Sequence, residues 1–197
     1  MKNILALAGS PRKKSNTHFL LDKVAEGACE AGAQIKIIYT ATKHAGGCIS
    51  CYKCQGKDEF ACAVEDDVQE FLREVPQVQE IIIATPVYWF GPSAQIKSYI
   101  DRLFSFMKID SKTGGYKSGL AGKGLSLVLT AGGEPFDGAD LLVEMIRRVA
   151  NLTGMIFRGT IGAYSVQSRK QLEEDVKLLE SARNFGKLIA GEEFPRA

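Results

Sequence analysis

Cys48, Cys51 and Cys54 are each separated by two residues and Cys62 follows after seven more, so four of the five cysteines crowd into fifteen residues. Thiolates three apart in an irregular loop can turn toward one centre, and a fourth arriving later closes a four-thiolate shell. Zinc sites with four cysteines usually pair two knuckles at a distance, whereas three cysteines within seven residues favour a [4Fe–4S] cluster. Zinc, a thiol–disulfide exchanger and plain reduced thiols are the alternatives, although these cysteines do not open a helix as an exchanger's do. The fifth, Cys29, falls within a helical stretch at a core-facing position and reads as a small apolar filler.

A second group lies between a short apolar run and a helix start: Gly9-Ser10-Pro11-Arg12-Lys13-Lys14-Ser15-Asn16-Thr17. Hydroxyls, an amide and an arginine there, with the N–H groups of the first helical turn, would make an anion site. The alternative is a capped helix with exposed basic residues. Dinucleotide and nucleoside-triphosphate loops are excluded, because neither glycine spacing is present, including in 111–124. A receiver domain would need acidic residues here, and a low-mass phosphatase would need a cysteine. Thr85-Pro86-Val87-Tyr88-Trp89-Phe90-Gly91-Pro92 carries three aromatics, including the sole tryptophan. They could wall a flat ring, or pack on the next helix or a subunit interface. Thr130-Ala131-Gly132-Gly133 adds a hydroxyl and small residues that let a ligand approach the backbone.

The intervening elements position these groups. Apolar runs at 3–8, 34–39, 80–85, 125–130 and 155–161 read as strands, the central ones apolar on both faces. Helical spacing of apolar residues appears after Ser15-Asn16-Thr17, at Val68 to Val75, from Ser93 to Phe106, at Leu142 to Val149 and at Leu172 to Leu179. Alternating strands and helices imply parallel pairing through right-handed crossovers, with helices on both faces. Ligands in such an α/β fold bind beyond the carboxyl ends of the strands. Residues 111–124 read as a mobile loop, His18 as a solvated helix position with contact to a phosphate oxygen as the alternative, His44 as a surface position, and Glu65-Asp66-Asp67 as a helix start.

At 197 residues, 45% hydrophobic and 24% charged, the chain fits one ordinary globular domain rather than a disordered or fibrous one. Its 25 basic and 23 acidic residues leave a charge of +2, which gives no basis for a nucleic-acid or membrane partner. The start lacks room for a signal peptide's cleavage region, so a cytoplasmic location is expected.

A phosphate loop, an aromatic wall and a small-residue loop at one sheet edge suggest FMN. Gly9-Ser10-Pro11-Arg12…Asn16-Thr17, Thr85-Pro86-Val87-Tyr88-Trp89 and Gln95-Ile96-Lys97-Ser98-Tyr99-Ile100-Asp101-Arg102 resemble the NADPH-dependent FMN reductase and iron–sulfur flavoprotein group of the flavodoxin-like superfamily. The resemblance covers almost the whole chain. It implies a single flavodoxin-like FMN-binding domain over 1–197, a three-layer sandwich with a five-stranded parallel sheet of order 2-1-3-4-5 and a cysteine-rich loop at 46–64. It further implies FMN phosphate on Ser10, Arg12, Ser15, Asn16 and Thr17. The isoalloxazine would then lie against Pro86, Val87, Tyr88, Trp89, Phe90 and Gly91, with Thr130, Gly132 and Gly133 on the remaining side. The cysteine segment is similar to the compact motif of iron–sulfur flavoproteins, with Cys48, Cys51, Cys54 and Cys62 as ligands. Its longer final gap and Ala63 argue against a second cluster.

The expected activity is therefore a flavin-dependent oxidoreductase passing electrons between the cluster and FMN, with no dedicated catalytic side chain. NAD(P)H or ferredoxin is the expected donor, and a quinone, an oxygen species or another small molecule the acceptor. A homodimer or homotetramer is implied by the resemblance. Two other readings stand beside it: a cluster-free NAD(P)H-dependent FMN or quinone reductase, and a non-catalytic electron carrier or redox sensor.

Overall fold

A computed structural model describes residues 1–56, 60–110 and 114–191, so parts of the spans 46–64, 111–124 and 1–197 lie outside the described residues. The chain runs β1 Asn3–Ala8, α1 Asn16–Glu30, β2 Gln34–Tyr39, α2 Val68–Glu74, β3 Glu80–Pro86, α3 Ala94–Arg102 and β4 Met107–Ile109. It continues through β5 Tyr116–Ser118, β6 Gly124–Thr130, α4 Asp140–Thr153, β7 Ile156–Ala163, α5 Arg169–Glu174 and α6 Val176–Ala190. The main sheet has five parallel strands in the order β2-β1-β3-β6-β7, which is the expected 2-1-3-4-5 once the short β4–β5 ribbon is set aside.

Every residue of β3 and β6 is buried, whereas β2 and β7 are only partly covered. That difference follows from position, since central strands are packed on both faces and edge strands are not. Side chains alternate across the sheet into two cores. Leu5, Leu7, Ile81, Ile83 and Leu127 pack with α2, α3 and α4 on one face. Ile4, Ala6, Ile82, Ala84 and Val128 pack with α1 and α6 on the other.

Helices α1 and α6 cross backbone to backbone. A Cβ on Gly27 would stand 1.9 Å from the Arg183 carbonyl oxygen, and one on Gly186 would stand 2.0 Å from that of Val24. Each glycine thus makes room for the other helix, and ion pairs from Glu30 to Arg183 and Lys187 close the crossing at the surface.

At the opposite end of the sheet from the strand carboxyl ends, Glu80 is fully buried between strands. Ser126 donates to its Oε1 at 2.6 Å, while Lys2 and Arg158 stand 3.7 and 3.6 Å from Oε2. Register between β6 and β7 slips past Arg158, so this bulged residue turns its side chain toward Glu80. Burial pushes the Glu80 carboxyl up to about 7, against the opposing pull of Ser126, Lys2 and Arg158.

Several expectations need correction. His18 is buried rather than solvated, because it continues the inward stripe of Leu21 and Val24 and stacks edge-on against Tyr39. Cys29 is exposed, one position beyond the buried Ala28 where the last turn rotates outward. Residues 116–118 form β5, paired antiparallel with β4, instead of continuing a loop. The last helical stretch is two helices broken at Asp175, whose side chain caps the second. The helix from Ser93 is α-helical only to Arg102 and tightens into a 3-10 turn over Leu103–Phe106.

Candidate functional site

Three loops meet beyond the carboxyl ends of β1, β3 and β6. The first begins where the Gly9 N–H donates to the Ala84 carbonyl at 2.7 Å, continuing the sheet ladder one step. Ser10 is buried and its Oγ accepts from the Arg12 N–H at 3.3 Å. Lys14 adopts a left-handed φ of 54°, and Ser15 then caps α1 by accepting from the His18 N–H at 3.2 Å. Arg12, Lys13 and Lys14 are exposed and make no ion pair among the described residues. Thr17 is buried with its hydroxyl 2.6 Å from that of Thr130, which ties the first loop to the third. The loop therefore presents basic side chains and a helix N-terminus whose first N–H groups lack intrahelical partners, a donor set suited to an anion.

His18, in the first turn of α1, keeps its Nε2 buried without a hydrogen-bond partner. Burial lowers its pKa, with the Ala8 carbonyl and Asp22 pulling the other way.

In the second loop, Tyr88 and Gly91 exchange backbone hydrogen bonds at 2.9 and 3.0 Å. The two residues between them, Trp89 and Phe90, have φ of 47° and 67°. Positive φ at both central positions belongs to a type I′ turn, which ordinarily takes asparagine and glycine. Two bulky aromatics there carry strain that the surroundings must hold. Ser93 supplies part of that support. Its N–H donates to Thr85 Oγ1 at 2.9 Å and its Oγ donates to the Gly9 carbonyl at 2.6 Å, fixing the turn to both neighbouring strands. Phe90 lies over Gly138, whose φ is 104° and where a Cβ would fall 2.0 Å from the ring. Trp89 is 94% exposed. The turn that carries the three aromatics is thus preformed, and its outermost ring is bare.

The third loop is pinned by the Val87 N–H, which donates to the Thr130 carbonyl at 2.9 Å, and by the Ser165 N–H, which donates to Gly133 at 3.0 Å. Space around Gly132 is open, with no heavy atom near a would-be Cβ. Thr17, Val87 and Thr130 are joined directly by hydrogen bonds, with Tyr88, Trp89 and Phe90 following Val87, while Ser10 is buried within the first loop.

The cysteine segment packs against the far end of α3. A cavity of about 390 Å³ is lined by Cys48, Cys51, Cys54 and Cys62 together with Tyr52, Phe104 and Arg102. Cys48 and Cys51 are exposed, Cys54 is buried and Cys62 is intermediate. Among the described residues no three cysteine, histidine or acidic side chains stand close enough to share one metal ion.

Arg102 fastens this segment from beneath. Its guanidinium is fully buried and donates to Cys62 Sγ at 3.0 Å, Asp66 Oδ2 at 2.9 Å and the carbonyls of Gly46 at 3.2 Å and Val64 at 2.8 Å. Both flanks of the loop therefore hang from one side chain. Asp66 also accepts from the Val68 N–H at 3.0 Å, so the acidic stretch does start α2, but its other oxygen serves the clamp. The β4–β5 ribbon holds the middle. Gln55 donates to the Met107 carbonyl at 2.7 Å and accepts from the Ile109 N–H at 2.9 Å, and Lys108 donates to the Cys54 carbonyl at 2.5 Å. His44 is exposed, as expected.

Sequence reasoning missed Arg102 as a functional residue, though it closes the stretch that resembles the family's helix. It also missed the ribbon.

The sequence profile of NADPH-dependent FMN reductases matches residues 2–167. An iron–sulfur flavoprotein of Methanocaldococcus jannaschii is 29% identical over 197 residues, which cover 95% of this chain and 95% of that one. One from Archaeoglobus fulgidus is 30% identical over 188 residues, covering 94% of this chain and 78% of that one. Among solved structures, an NAD(P)H:quinone oxidoreductase from Methanothermobacter marburgensis superposes with a TM-score of 0.74 at 17% identity, over 98% of this chain and 99% of that one. This last likeness carries the fold.

Proposed function

The chain belongs to the NADPH-dependent FMN reductase family and is a flavin-dependent oxidoreductase, and on that premise we propose that it works as an iron–sulfur flavoprotein with one [4Fe–4S] cluster beside its FMN. The observation that carries this reading is the single cavity lined by Cys48, Cys51, Cys54 and Cys62. When bound, FMN exchanges electrons singly or in pairs and the cluster exchanges them one at a time, so together they join one-electron to two-electron partners.

The chain's own residues bind and orient. In this reading Ser10, Arg12, Ser15, Asn16 and Thr17 take the phosphate, through N–H groups and basic charge. Pro86 to Gly91 wall one side of the ring, and Thr130, Gly132 and Gly133 approach it from the other. Arg102 holds the cysteine loop open and directs an N–H at Cys62. The donor is NAD(P)H, with ferredoxin as the alternative, and the acceptor is a small molecule such as a quinone or an oxygen species. The bare Trp89 supports assembly into a homodimer or homotetramer. A cytoplasmic setting belongs to the same reading; among the described residues no helix is long and apolar enough to cross a membrane.

A second reading has its own support. The cysteines are not gathered around a single point, as a cluster-free reductase would also allow. Iron, acid-labile sulfide and FMN measured per subunit on anaerobically purified protein separate the two. About four irons and four sulfides with one flavin are expected. Flavin without iron would leave the plain reductase, and zinc in place of iron would make the cysteines structural.

A further inference from the structure

The connection that follows β7 grips two of the three loops. Gln167 Nε2 donates to the Gly132 carbonyl at 3.1 Å, close to the Ser165 bond on Gly133. Two residues on, Arg169 reaches back across the molecule to the first loop. One of its guanidinium nitrogens donates to the carbonyls of Lys14 and Ser15, each at 2.6 Å. The guanidinium also lies 4.4 Å from the centre of the Phe19 ring, which fixes its plane.

The geometry has a direct consequence for the loop's other side. In a trans peptide unit the C=O and the N–H point in opposite directions. Turning the carbonyls of Lys14 and Ser15 onto Arg169 therefore turns the N–H groups of Ser15 and Asn16 away from it. Neither N–H has a partner among the described residues. The same two bonds hold Lys14 in its left-handed conformation, which a residue with a side chain adopts at a cost.

We infer that Arg169 is a positioning residue for phosphate recognition: by drawing the Lys14 carbonyl to the side where the Phe19 N–H, donating at 3.1 Å, already holds the Ser15 carbonyl, it aims the Ser15 N–H, beside that of Asn16, at the flavin phosphate. This rests on the reading that the loop from Gly9 to Thr17 receives that phosphate. Arg169 lies beyond the stretch 2–167 that matches the family, and none of the flavin-contact residues expected from the resemblance includes it. A lysine could supply the charge, but not the planar fork seated on Phe19.

Dissociation constants of FMN and riboflavin, read by flavin fluorescence on the flavin-stripped full chain, test the inference. The two ligands differ only in the phosphate. Wild type should bind FMN more tightly than riboflavin. Arg169→Ala should weaken FMN by about tenfold, the scale of one charge-assisted hydrogen bond, and leave riboflavin unchanged. Arg169→Lys should stay near the alanine variant. Equal loss for both ligands would mark a general folding role and overturn the inference, as would an unchanged FMN-to-riboflavin ratio or full recovery in Arg169→Lys. Should the alanine variant fail to fold, Arg169→Gln is read by the same ratio and the same outcomes. Wild type that does not distinguish the two flavins would overturn the phosphate-loop reading itself, and the inference with it.

Discussion

Replacing Arg102 by methionine removes four hydrogen bonds at once and fills most of the space with an apolar chain. The Asp66 carboxylate, with a side chain only 13% exposed, then keeps the Gly46 and Val68 N–H groups but loses its cation. Breaking a buried pair by removing one partner costs about 3–5 kcal/mol. Asp66 retains some water and two N–H donors, so the lower end, about 3 kcal/mol, is the better figure. At a urea slope of about 2 kcal/mol per molar, the unfolding midpoint should fall by roughly 1.5 M. Part of the loss should appear locally, as faster amide exchange over residues 44–66, because Arg102 joins both flanks of that loop. Flavin content should persist, since none of Arg102's partners belongs to the three loops beyond β1, β3 and β6, while iron per subunit should drop. Full iron with an unchanged midpoint would refute the view that this side chain is what holds the cysteine segment.

Glu80 gives a pH prediction with a definite sign. Its carboxyl is raised by burial from 4.5 to about 7, so the folded protein keeps a proton that the unfolded chain releases. That contribution is complete below pH 4.5, declines as pH rises to about 7 and is flat above, a change of about 3 kcal/mol. Glu80→Gln should remove the slope, so the midpoint difference between variant and wild type in urea should widen from pH 4.5 to 7. A difference constant across that range would contradict it. Gly138→Ala would place a methyl against the Phe90 ring at a positive φ, costing about 1–3 kcal/mol, and by displacing the ring should weaken FMN binding in a fluorescence titration. Gly186→Val should part α1 from α6 and lower stability by about 3 kcal/mol, seen as a lower thermal midpoint.

The sheet was legible because its central strands are nearly unbroken apolar runs, and each ended at a glycine or proline that announced a loop. The three loops could be ordered from topology alone, since parallel strands bring their carboxyl ends together. The β4–β5 ribbon was not legible: Met107-Lys108-Ile109 and Tyr116-Lys117-Ser118 are too short for a period to show, and their pairing serves the cysteine loop rather than a core. His18 was misread because its residue type outweighed its spacing. Its position three residues before Leu21 and six before Val24 was the signal for burial. Cys29 failed the other way, where an apolar type suggested a core that the helix face does not reach. Arg102 and Arg169 act on carbonyls and a thiol that lie far from them in sequence, and no local pattern encodes such pairings.

The family's shared profile stops at residue 167, yet the reciprocal glycines make α6 inseparable from α1. The end of the family profile and the end of what folds cooperatively are thus different lines on this chain. With the backbones of α1 and α6 in contact, the last helix shares one face of the sheet with α1, lies on the edge strand β7 and secures the helix that begins at the first loop. A chain cut after residue 167 would lose more than its last two helices. It would uncover the α1 backbone at Val24 and Ala28, where Gly186 seats, and release the Lys14 and Ser15 carbonyls at the start of α1 from Arg169, so the residues beyond the profile are structurally necessary although the profile does not reach them.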